Sequence, residues 1–364
     1  MPPAPPDYRR PRPERDPRRP TSAGAYSGPG HEGDGVGRHQ HLLTRRRTAI
    51  SCVDPGPGAG SATGVVGPAN RAGTWHPRRM SDILRVVTYN VLTIAEADGP
   101  ARHRIMRRVF PGLGADIVAL QEVTRGADSD QVAELLGSEF TVVDLPGGSS
   151  AGAGECLATR LPVAAVHALD VPVSGEGPQA VRATAVAVEV LAPQPIGSVL
   201  VVHHRGTFEL PFEHARERQA VATARFVEEL AADRDELPVV LLGDLNAATD
   251  AASVRFLTGK QSLDGFSVRY EDAWAAVHGD RPGHTFSPRN PLVRAGQLPS
   301  ERGRRIDHVL VRSGAYGPAL EVADCRMLFT DPVDGVWLSD HFGLLADLRR
   351  PEHRPGHWAE DVTG

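Results

Sequence analysis

The sequence predicts an α/β (α+β) fold that contains mixed β-pairing. Short apolar, β-branched runs recur along the chain, for example at residues 83–91 (ILRVVTYNV), 199–202 (VLVV) and 239–242 (VVLL), as expected of buried strands. Amphipathic stretches separate some of these runs, and the longest covers residues 212–232. Strands and helices do not alternate strictly, which disfavours a doubly wound parallel sheet and favours a mixed one.

The same patterns give the elements in chain order. Strands are predicted at residues 83–91, 116–120, 181–190, 199–202, 239–242, 306–311 and 342–348. Helices are predicted at residues 101–110, 129–136 and 212–232. Loops rich in glycine, proline or polar residues are predicted at residues 146–154 and 281–305.

Composition divides the chain into two parts. Residues 1–79 are rich in proline and glycine and carry 13 arginines against 6 acidic residues, a net charge of +7. The whole chain carries −5, so the remaining residues carry −12. We expect a disordered leader at 1–79, because it has no hydrophobic period. A start of translation at Met80 would equally explain this boundary. We expect one globular domain at 80–350 and a tail at 351–364.

Several classes of protein are excluded by composition. The chain has no apolar run of about 18 residues, so no transmembrane helix is expected. The N-terminus lacks an apolar signal-peptide core. Cys52, Cys156 and Cys325 are too scattered for a disulfide framework or a zinc pair. We therefore expect a cytoplasmic protein. No protein partner is indicated, and we expect a monomer.

Polar residues able to do chemistry follow the predicted strands at their ends. They are Asn90, Glu122, His204, Asp244, Asn246, Asp307, Asp340 and His341. Stacked sheets bring such strand ends to one rim, where a rigid scaffold usually carries its functional site. Most of these residues offer carboxylate or amide oxygens, which suit Mg²⁺ or Mn²⁺ better than zinc.

Local spacing adds detail to this predicted site. Asp244 and Asn246 would point the same way in an extended segment, because side chains alternate with period two. Asp340 and His341 would face opposite ways in a strand, although a loop would let both reach the site. Asp307 lies inside an apolar strand, where a carboxylate needs a histidine or arginine partner, and His341 is a candidate.

The order of the motifs carries more information than any one of them. The chain reads TYN, LQE, a strand ending in HH, RERQ, GDLN, RRIDHVLV and SDH. This series resembles the endonuclease/exonuclease/phosphatase superfamily, the DNase I-like group, from about Ile83 to Leu348. The resemblance implies a four-layer α/β sandwich, in which two mixed β-sheets pack together and helices flank them.

The resemblance also implies a divalent metal, Mg²⁺ or Mn²⁺, as cofactor. Asn90 in TYN and Glu122 in LQE match the family's metal-site pair. Asp340 in SDH matches a further carboxylate of the metal region. Arg216 and Gln219 match the family's RxxQ helix, which we interpret as structural.

The remaining matches imply how the phosphoester would be attacked. Asp244 and Asn246 in GDLN match the residues that orient the attacking water and contact the phosphate. His341 matches the phosphate-contacting histidine, and Asp307 matches its carboxylate partner. His204 matches a further catalytic histidine, although the family often has Thr-His where this chain has His-His. The functional histidine of that pair is therefore open, and we favour His204.

These assignments predict an enzyme, a metal-dependent phosphoester hydrolase of the phosphodiesterase or nuclease type. The alternative substrate is a lipid headgroup or a small phosphorylated metabolite, attacked by a phosphatase or phospholipase-type enzyme. A different class, an inactive binding module with the same fold, usually loses at least one of Glu122, Asp244, Asp340 or His341, and all four are present.

The sequence separates these substrates poorly. The charge of −12 on residues 80–364 opposes a broad face for duplex DNA. The loop at 281–305 is a candidate for selecting the substrate, and it opens with His284, Thr285 and Phe286. Its candidate substrate-binding arginines are Arg289, Arg294, Arg302, Arg304 and Arg305. Neither an apolar hairpin nor a basic amphipathic helix indicates membrane docking.

Overall fold

The computed structural model describes residues 82–126, 130–147, 153–175, 180–234 and 236–357. The leader expected at residues 1–79 lies outside these ranges, as do residues 358–364 of the expected tail and residues 148–152 of the expected loop. Among the helices of the described ranges, none is long and apolar enough to cross a membrane.

Strands make up most of the described secondary structure. The strands are β1 (Leu84–Asn90), β2 (Ile117–Thr124), β3 (Thr141–Asp144), β4 (Ala153–Thr159), β5 (Val163–Ser174), β6 (Val181–Leu191), β7 (Ser198–His204), β8 (Val239–Asp244), β9 (Tyr270–Asp272), β10 (Asp307–Gly314), β11 (Gly317–Pro318), β12 (Glu321–Leu328) and β13 (Gly343–Arg349). The helices are α1 (Gly99–Val109), α2 (Gln131–Leu136), α3 (Glu213–Ala231), α4 (Ala252–Leu257), α5 (Ala273–His278) and α6 (Pro291–Ala295).

The strands form two mixed sheets. The first sheet has the order β12-β13-β1-β2-β4-β3, in which β1 and β2 are parallel and the other neighbours are antiparallel. The second has the order β11-β10-β8-β7-β6-β5, with β9 beside β10, and here β7 and β8 are the parallel pair. Mixed pairing, as predicted from the missing alternation, is confirmed.

The two sheets pack face to face and helices cover their outer faces. Val86 and Ile117 of the first sheet share one buried cluster with Val188 and Leu242 of the second. Each such fully buried aliphatic side chain contributes about 1.5–3 kcal/mol. A second cluster joins the first sheet to α1 and α2, and a third joins the second sheet to α3 and α4. The result is the four-layer α/β sandwich that the motifs implied.

One buried ion pair lies at the edge of this core. Asp272 begins α5, where its Oδ1 accepts hydrogen bonds from the backbone nitrogens of Trp274 and Ala275, at 3.0 and 3.2 Å. Its Oδ2 lies 2.6 Å from Nη1 of Arg305 and 3.6 Å from Nδ1 of His308. Burial alone would raise the pKa of Asp272, but His308 and Arg305 outweigh it and hold that pKa well below its ordinary value.

Replacing Asp272 by asparagine is expected to lower the free energy of unfolding by about 3 kcal/mol at pH 7, because Arg305 then stays buried without a counter-charge. A depressed folded-state pKa stabilises the protein above the ordinary aspartate pKa, near 4, and this contribution is lost as the pH falls below it. Urea unfolding at pH 7 measures the first effect, and urea unfolding at pH 2, well below the ordinary aspartate pKa, measures the second. The exposed Asp250→Asn is the control, and equal losses in the two variants would contradict the prediction.

Candidate active site

Strand ends from both sheets meet at one edge of the sandwich. β1 and β2 of the first sheet run parallel and end there, as do β7 and β8 of the second, while β10 and β13 begin there. The side chains that this edge brings together are Asn90, Glu122, Asp244, Asp307, Asp340 and His341. Six of the eight predicted site residues therefore converge.

Asn90 is the centre of this cluster. Its Nδ2 donates to Oε1 of Glu122 at 3.0 Å and to Oδ2 of Asp244 at 3.3 Å, and it lies 3.4 Å from Nε2 of His341. Its Oδ1 instead accepts a hydrogen bond from the backbone nitrogen of Leu92 at 3.0 Å. Asn90 therefore holds two carboxylates together as a hydrogen-bond donor. Its place in the metal-site pair stays a prediction.

A β-bulge aims Glu122 at the cluster. Between Leu120 and Val123 the register with β4 shifts, so Gln121 and Glu122 together oppose Glu155 alone. Glu122 has a φ of 58°, a left-handed conformation that is costly for a residue other than glycine. Such strain persists where the surrounding structure imposes it, and it is common at functional sites.

Asp244 ends β8 opposite Asp307, the first residue of β10. Its Oδ1 accepts a hydrogen bond from the backbone nitrogen of Asn246 at 2.9 Å. Burial and the neighbouring Asp307 raise the pKa of Asp244 to about 6, against the lowering effects of His341 and Arg205. Gly243 is required just before it, because a Cβ there would lie 2.1 Å from the carbonyl oxygen of His204.

Asn246 lies beyond the end of β8, so the alternation of side chains along a strand does not apply to it. Its φ is 51°, and its Nδ2 donates to the carbonyl oxygen of Gly206 at 3.0 Å. The amide therefore ties the turn after β8 to the chain that leaves β7. Its backbone nitrogen fixes Asp244, which is the direct contact between Asn246 and the cluster.

His341 and Asp307 form the buried pair that the sequence predicted. Nδ1 of His341 lies 2.9 Å from Oδ2 of Asp307. Burial disfavours the charge of this imidazole, but Asp307, Asp244 and Asp340 outweigh it and raise its pKa to about 10. The Phe286 ring packs against it at a centroid distance of 4.9 Å. His341 is therefore a cation at neutral pH, and its Nε2 faces Asn90.

A loop, not a strand, carries Asp340 and His341. The Ser339 hydroxyl donates to the carbonyl oxygen of Asn90 at 2.7 Å and accepts from the backbone nitrogen of His341 at 3.2 Å. Burial and the nearby Glu122 raise the pKa of Asp340, although His341 opposes them. Both neighbours consequently reach the cluster, as predicted for a loop.

The structure does not bring His204 to the cluster. Its Nδ1 lies 3.3 Å from the carbonyl oxygen of Thr184 and 3.2 Å from the hydroxyl of Thr223, on the side of the sheet covered by α3. Burial lowers its pKa to about 4, so it is neutral. His203 faces the other sheet, where its Nε2 lies 2.8 Å from Nε2 of Gln121. Neither imidazole is available to a phosphate in the cleft.

Arg205 lies next to Glu122 of the cluster. The sequence analysis did not single out this residue. Its Nη1 donates to Oε1 of Glu155 at 2.5 Å, and its Nη2 donates to Oε1 of Glu122 at 2.9 Å. Glu155 was also missed. The available signal was a glutamate near the start of an apolar strand, GECLA, which is costly to bury without a partner.

The charge of the cluster suits a divalent cation. Asp244 and Asp307 place carboxylate oxygens within 4.8 Å of each other, and Glu122 and Asp340 lie beside them. Oδ1 of Asp307 is buried and has no hydrogen-bond partner among the residues that the structure describes. Hard oxygen donors gathered in this way fit Mg²⁺ or Mn²⁺.

The loop 281–305 packs against the His341–Asp307 pair. The hydroxyl of Thr285 accepts hydrogen bonds from the backbone nitrogens of Ile306 and Asp307, at 3.1 and 3.2 Å. Two of its arginines are committed to internal ion pairs, Arg304 with Glu301 and Arg305 with Asp272. Fewer arginines of this loop are therefore uncommitted than its sequence contains.

The RxxQ helix fixes the segment that follows Arg205. The Arg216 guanidinium donates to the carbonyl oxygens of Thr207, Glu209 and Leu210, at 3.0, 2.8 and 3.1 Å. Oε1 of Gln219 accepts a hydrogen bond from the backbone nitrogen of Thr207 at 3.0 Å. These contacts support the structural interpretation of Arg216 and Gln219.

Three large apolar side chains of the fixed segment are exposed. Phe208 is 58% exposed, Leu210 is 55% exposed and Phe212 is 41% exposed. Phe208 follows Arg205 by three residues. We call Phe208, Leu210 and Phe212 the apolar rim. Exposed apolar side chains grouped in this way are typical of interaction surfaces.

The comparison with protein families agrees with the geometry. A model of the endonuclease/exonuclease/phosphatase family matches residues 87–341, so the chain belongs to this family. Members of the family are typically phosphoester hydrolases, and they generally use divalent metals. Comparison with curated protein sequences gives no match.

Solved structures are similar in fold. TDP2 of D. rerio, solved with a single-stranded DNA product, is 16% identical with a TM-score of 0.58, and the match covers 74% of this chain and 100% of that one. The human Nocturnin catalytic domain, solved with a bound sulfate anion, is 16% identical with a TM-score of 0.55, covering 74% and 94%. A Bacteroides vulgatus member of the family is 20% identical with a TM-score of 0.53, covering 74% and 99%.

Proposed function

We propose that this protein is a divalent-metal-dependent phosphoester hydrolase of the phosphodiesterase or nuclease type. The observation that carries the proposal is the buried His341–Asp307 pair beside Asp244, because it places a protonated imidazole next to a carboxylate of raised pKa, that of Asp244. These are a donor for a phosphoryl oxygen and an acceptor for a proton of water, the two groups that phosphoester hydrolysis needs.

Glu122 and Asp340 are the carboxylates that would hold the metal. Asn90 donates to Glu122 and keeps it beside Asp244. The bound metal supplies neutralisation of the phosphate charge and of the developing charge on the leaving oxygen. Burial raises the pKa of Asp340, which makes its ionised form costly without a neighbouring cation.

Asp244 is the group that would orient the attacking water and accept its proton. With a pKa of about 6 it is largely ionised at pH 7 and still basic enough to take a proton, which is the useful range for a general base. The backbone nitrogen of Asn246 holds one carboxylate oxygen, so the other is directed toward the cluster.

His341 would donate a hydrogen bond from Nε2 to a phosphoryl oxygen. Asp307 holds Nδ1, which fixes the orientation of the ring and keeps it charged. A preorganised donor of this kind stabilises the charge that develops in the transition state and does not have to reorient during the reaction.

The apolar rim favours a second candidate function, hydrolysis of a phospholipid headgroup. The sequence analysis found no apolar hairpin that indicates membrane docking, but the structure exposes Phe208, Leu210 and Phe212 in the segment that follows Arg205. Glu209 and Glu213 lie in the same segment, and the acidic charge of residues 80–364 also repels a polyanion. By contrast, the similar protein TDP2 of D. rerio was solved with single-stranded DNA, a nucleic acid and not a lipid.

A substrate panel separates these functions. The full chain would be offered bis-p-nitrophenyl phosphate, supercoiled plasmid, a single-stranded oligonucleotide, sphingomyelin vesicles and an inositol polyphosphate, with Mg²⁺, with Mn²⁺ and with EDTA. We expect metal-dependent turnover of the diester that EDTA abolishes. Turnover that survives EDTA would refute the metal assignment. Absence of turnover on every substrate would favour an inactive binding module of the same fold.

A further inference from the structure

β7 ends with His203 and His204, and Arg205 follows directly. The face of the sheet on which each side chain lies decides its role. β7 is parallel to β8, and His203 lies opposite Leu242. Continuing that register places Arg205 beside Asp244 and on the same face, because alternate residues share a face. His204 is thereby directed to the opposite face, against α3.

We propose that Arg205 is a phosphate-binding residue of the cleft and that Glu155 positions it. This inference rests on the proposed function, since it names the second cation that contacts the same phosphoester. It assigns to a guanidinium the position at which the sequence analysis expected the imidazole of His204.

The geometry leaves Arg205 free to bind an anion. Glu155 and Glu122 each engage one terminal nitrogen, so the remaining N–H groups of the guanidinium can meet phosphoryl oxygens. The side chain is 23% exposed, so a ligand can reach it from the cleft. Guanidinium groups match the planar, bidentate geometry of phosphate oxygens better than an ammonium does.

Within the described ranges of the chain, the hydrogen bond to Arg205 is the only one that the Glu155 side chain makes. It lies on β4, opposite the bulge that carries Glu122, and its bond to Arg205 is the shorter of the two. Burial opposes the charge of Arg205, but Glu155, Asp244 and Glu122 outweigh it and raise the pKa of the guanidinium. Arg205 therefore stays charged at every pH at which the fold is stable, unlike a histidine in the same position.

The test combines binding of inorganic phosphate with steady-state kinetics on bis-p-nitrophenyl phosphate. Arg205→Met is expected to weaken phosphate binding, measured by calorimetry with Mg²⁺ present, by about 10–100-fold, the usual effect of losing a hydrogen bond to a charged group. The value of kcat/KM should fall by at least as much. Arg205→Lys, which keeps the charge, should recover part of both losses. Arg85→Met is the matched control, since Arg85 is also partly exposed and paired, with Asp347 at 2.7 Å.

The test of Glu155 needs a measurement that would not change if Glu155 only stabilised the fold. Glu155→Gln is expected to weaken phosphate binding by about 10-fold, as loss of a supporting carboxylate typically does. Because Glu155 acts through Arg205, this loss should disappear when Glu155→Gln is added to Arg205→Met. Glu155→Gln also provides a test if Arg205→Met does not fold.

Two results would overturn the inference. One is that Arg205→Met and Arg205→Lys bind phosphate and turn over ester as the unaltered protein does, with only a lower Tm. The other is that the unaltered protein binds no phosphate. Phosphate binding that depends on Arg205, without turnover of any ester, would support the inference and refute the proposed function.

Discussion

Replacing Asp244 by asparagine is expected to lower kcat for phosphoester hydrolysis by about 10²–10⁴-fold, the usual contribution of a positioned general base. Asparagine keeps the shape of the side chain, and its oxygen can still accept from the backbone nitrogen of Asn246. It cannot accept a proton from water. Single-turnover measurements with Mg²⁺ at pH 7 would give the rate of the chemical step directly.

The same variant should not be less stable. Burial and Asp307 raise the pKa of Asp244 to about 6, so its charged form is disfavoured in the fold. That penalty is fully present above pH 6 and fades as the pH falls from 6 toward the ordinary aspartate pKa near 4, because in this range the folded state binds the proton and the unfolded state does not. We therefore expect Tm at pH 7, without metal, to stay equal or rise. Asp250→Asn, an exposed change six residues away, is the control for activity. A kcat equal to that of the unaltered protein would refute the role of Asp244.

Replacing His341 by glutamine is expected to lower kcat by about 10²–10³-fold, the cost of removing one preorganised donor to a developing negative charge. Glutamine can donate a hydrogen bond but carries no charge. The comparison with Asp307→Asn is the informative one, since asparagine leaves the imidazole in place and removes the charge that supports it.

Asp307→Asn is expected to move the alkaline limit of activity to lower pH. Asp307 contributes to the raised pKa of His341, about 10, so the imidazole is charged throughout the neutral range. Without that carboxylate the pKa should fall toward the ordinary histidine value, near 6.5, and the donor proton is then lost as the pH rises. A pH–rate profile from pH 5 to pH 10 checks this. Superimposable profiles for the variant and the unaltered protein would contradict it.

The convergence of distant motifs was predictable because the ends of the strands can be identified from the sequence. Apolar runs stop at Asn90, Glu122 and Asp244, and stacking two sheets brings such ends to one edge. The pairing of Asp307 with His341 followed from the cost of burying a carboxylate. Both inferences depend on burial, which the pattern of apolar residues reports well.

The identity of the residue at the end of β7 was not predictable in the same way. Residues 199–202 read VLVV, and both faces of this strand are buried, one against the other sheet and one against α3. Because every position of this run is apolar, the sequence does not show whether its odd-numbered or its even-numbered residues face the cleft. His204 was favoured because it matches a histidine of the family, whereas the strand register places Arg205 on the face of the cleft.

Edge strands were the main elements that the sequence analysis missed. β3, β5 and β12 lie at the ends of their sheets, where one side of a strand has no neighbouring strand and polar residues are tolerated. β5 even contains Pro172, which an edge strand can accept because its missing N–H leaves no ladder bond broken. Short β-branched runs mark central strands, so these weaker patterns escaped notice.

The site takes Asn90 and Glu122 from one sheet and Arg205, Asp244 and Asp307 from the other. A phosphate bound by Arg205, together with a metal ion held by the carboxylates, would link the two sheets. By linkage, its binding free energy adds to the resistance of the two halves to separation. Amide hydrogens of β1, β2, β7 and β8 would then exchange more slowly with solvent when the cleft is filled, so occupancy can be read from backbone protection without following any reaction.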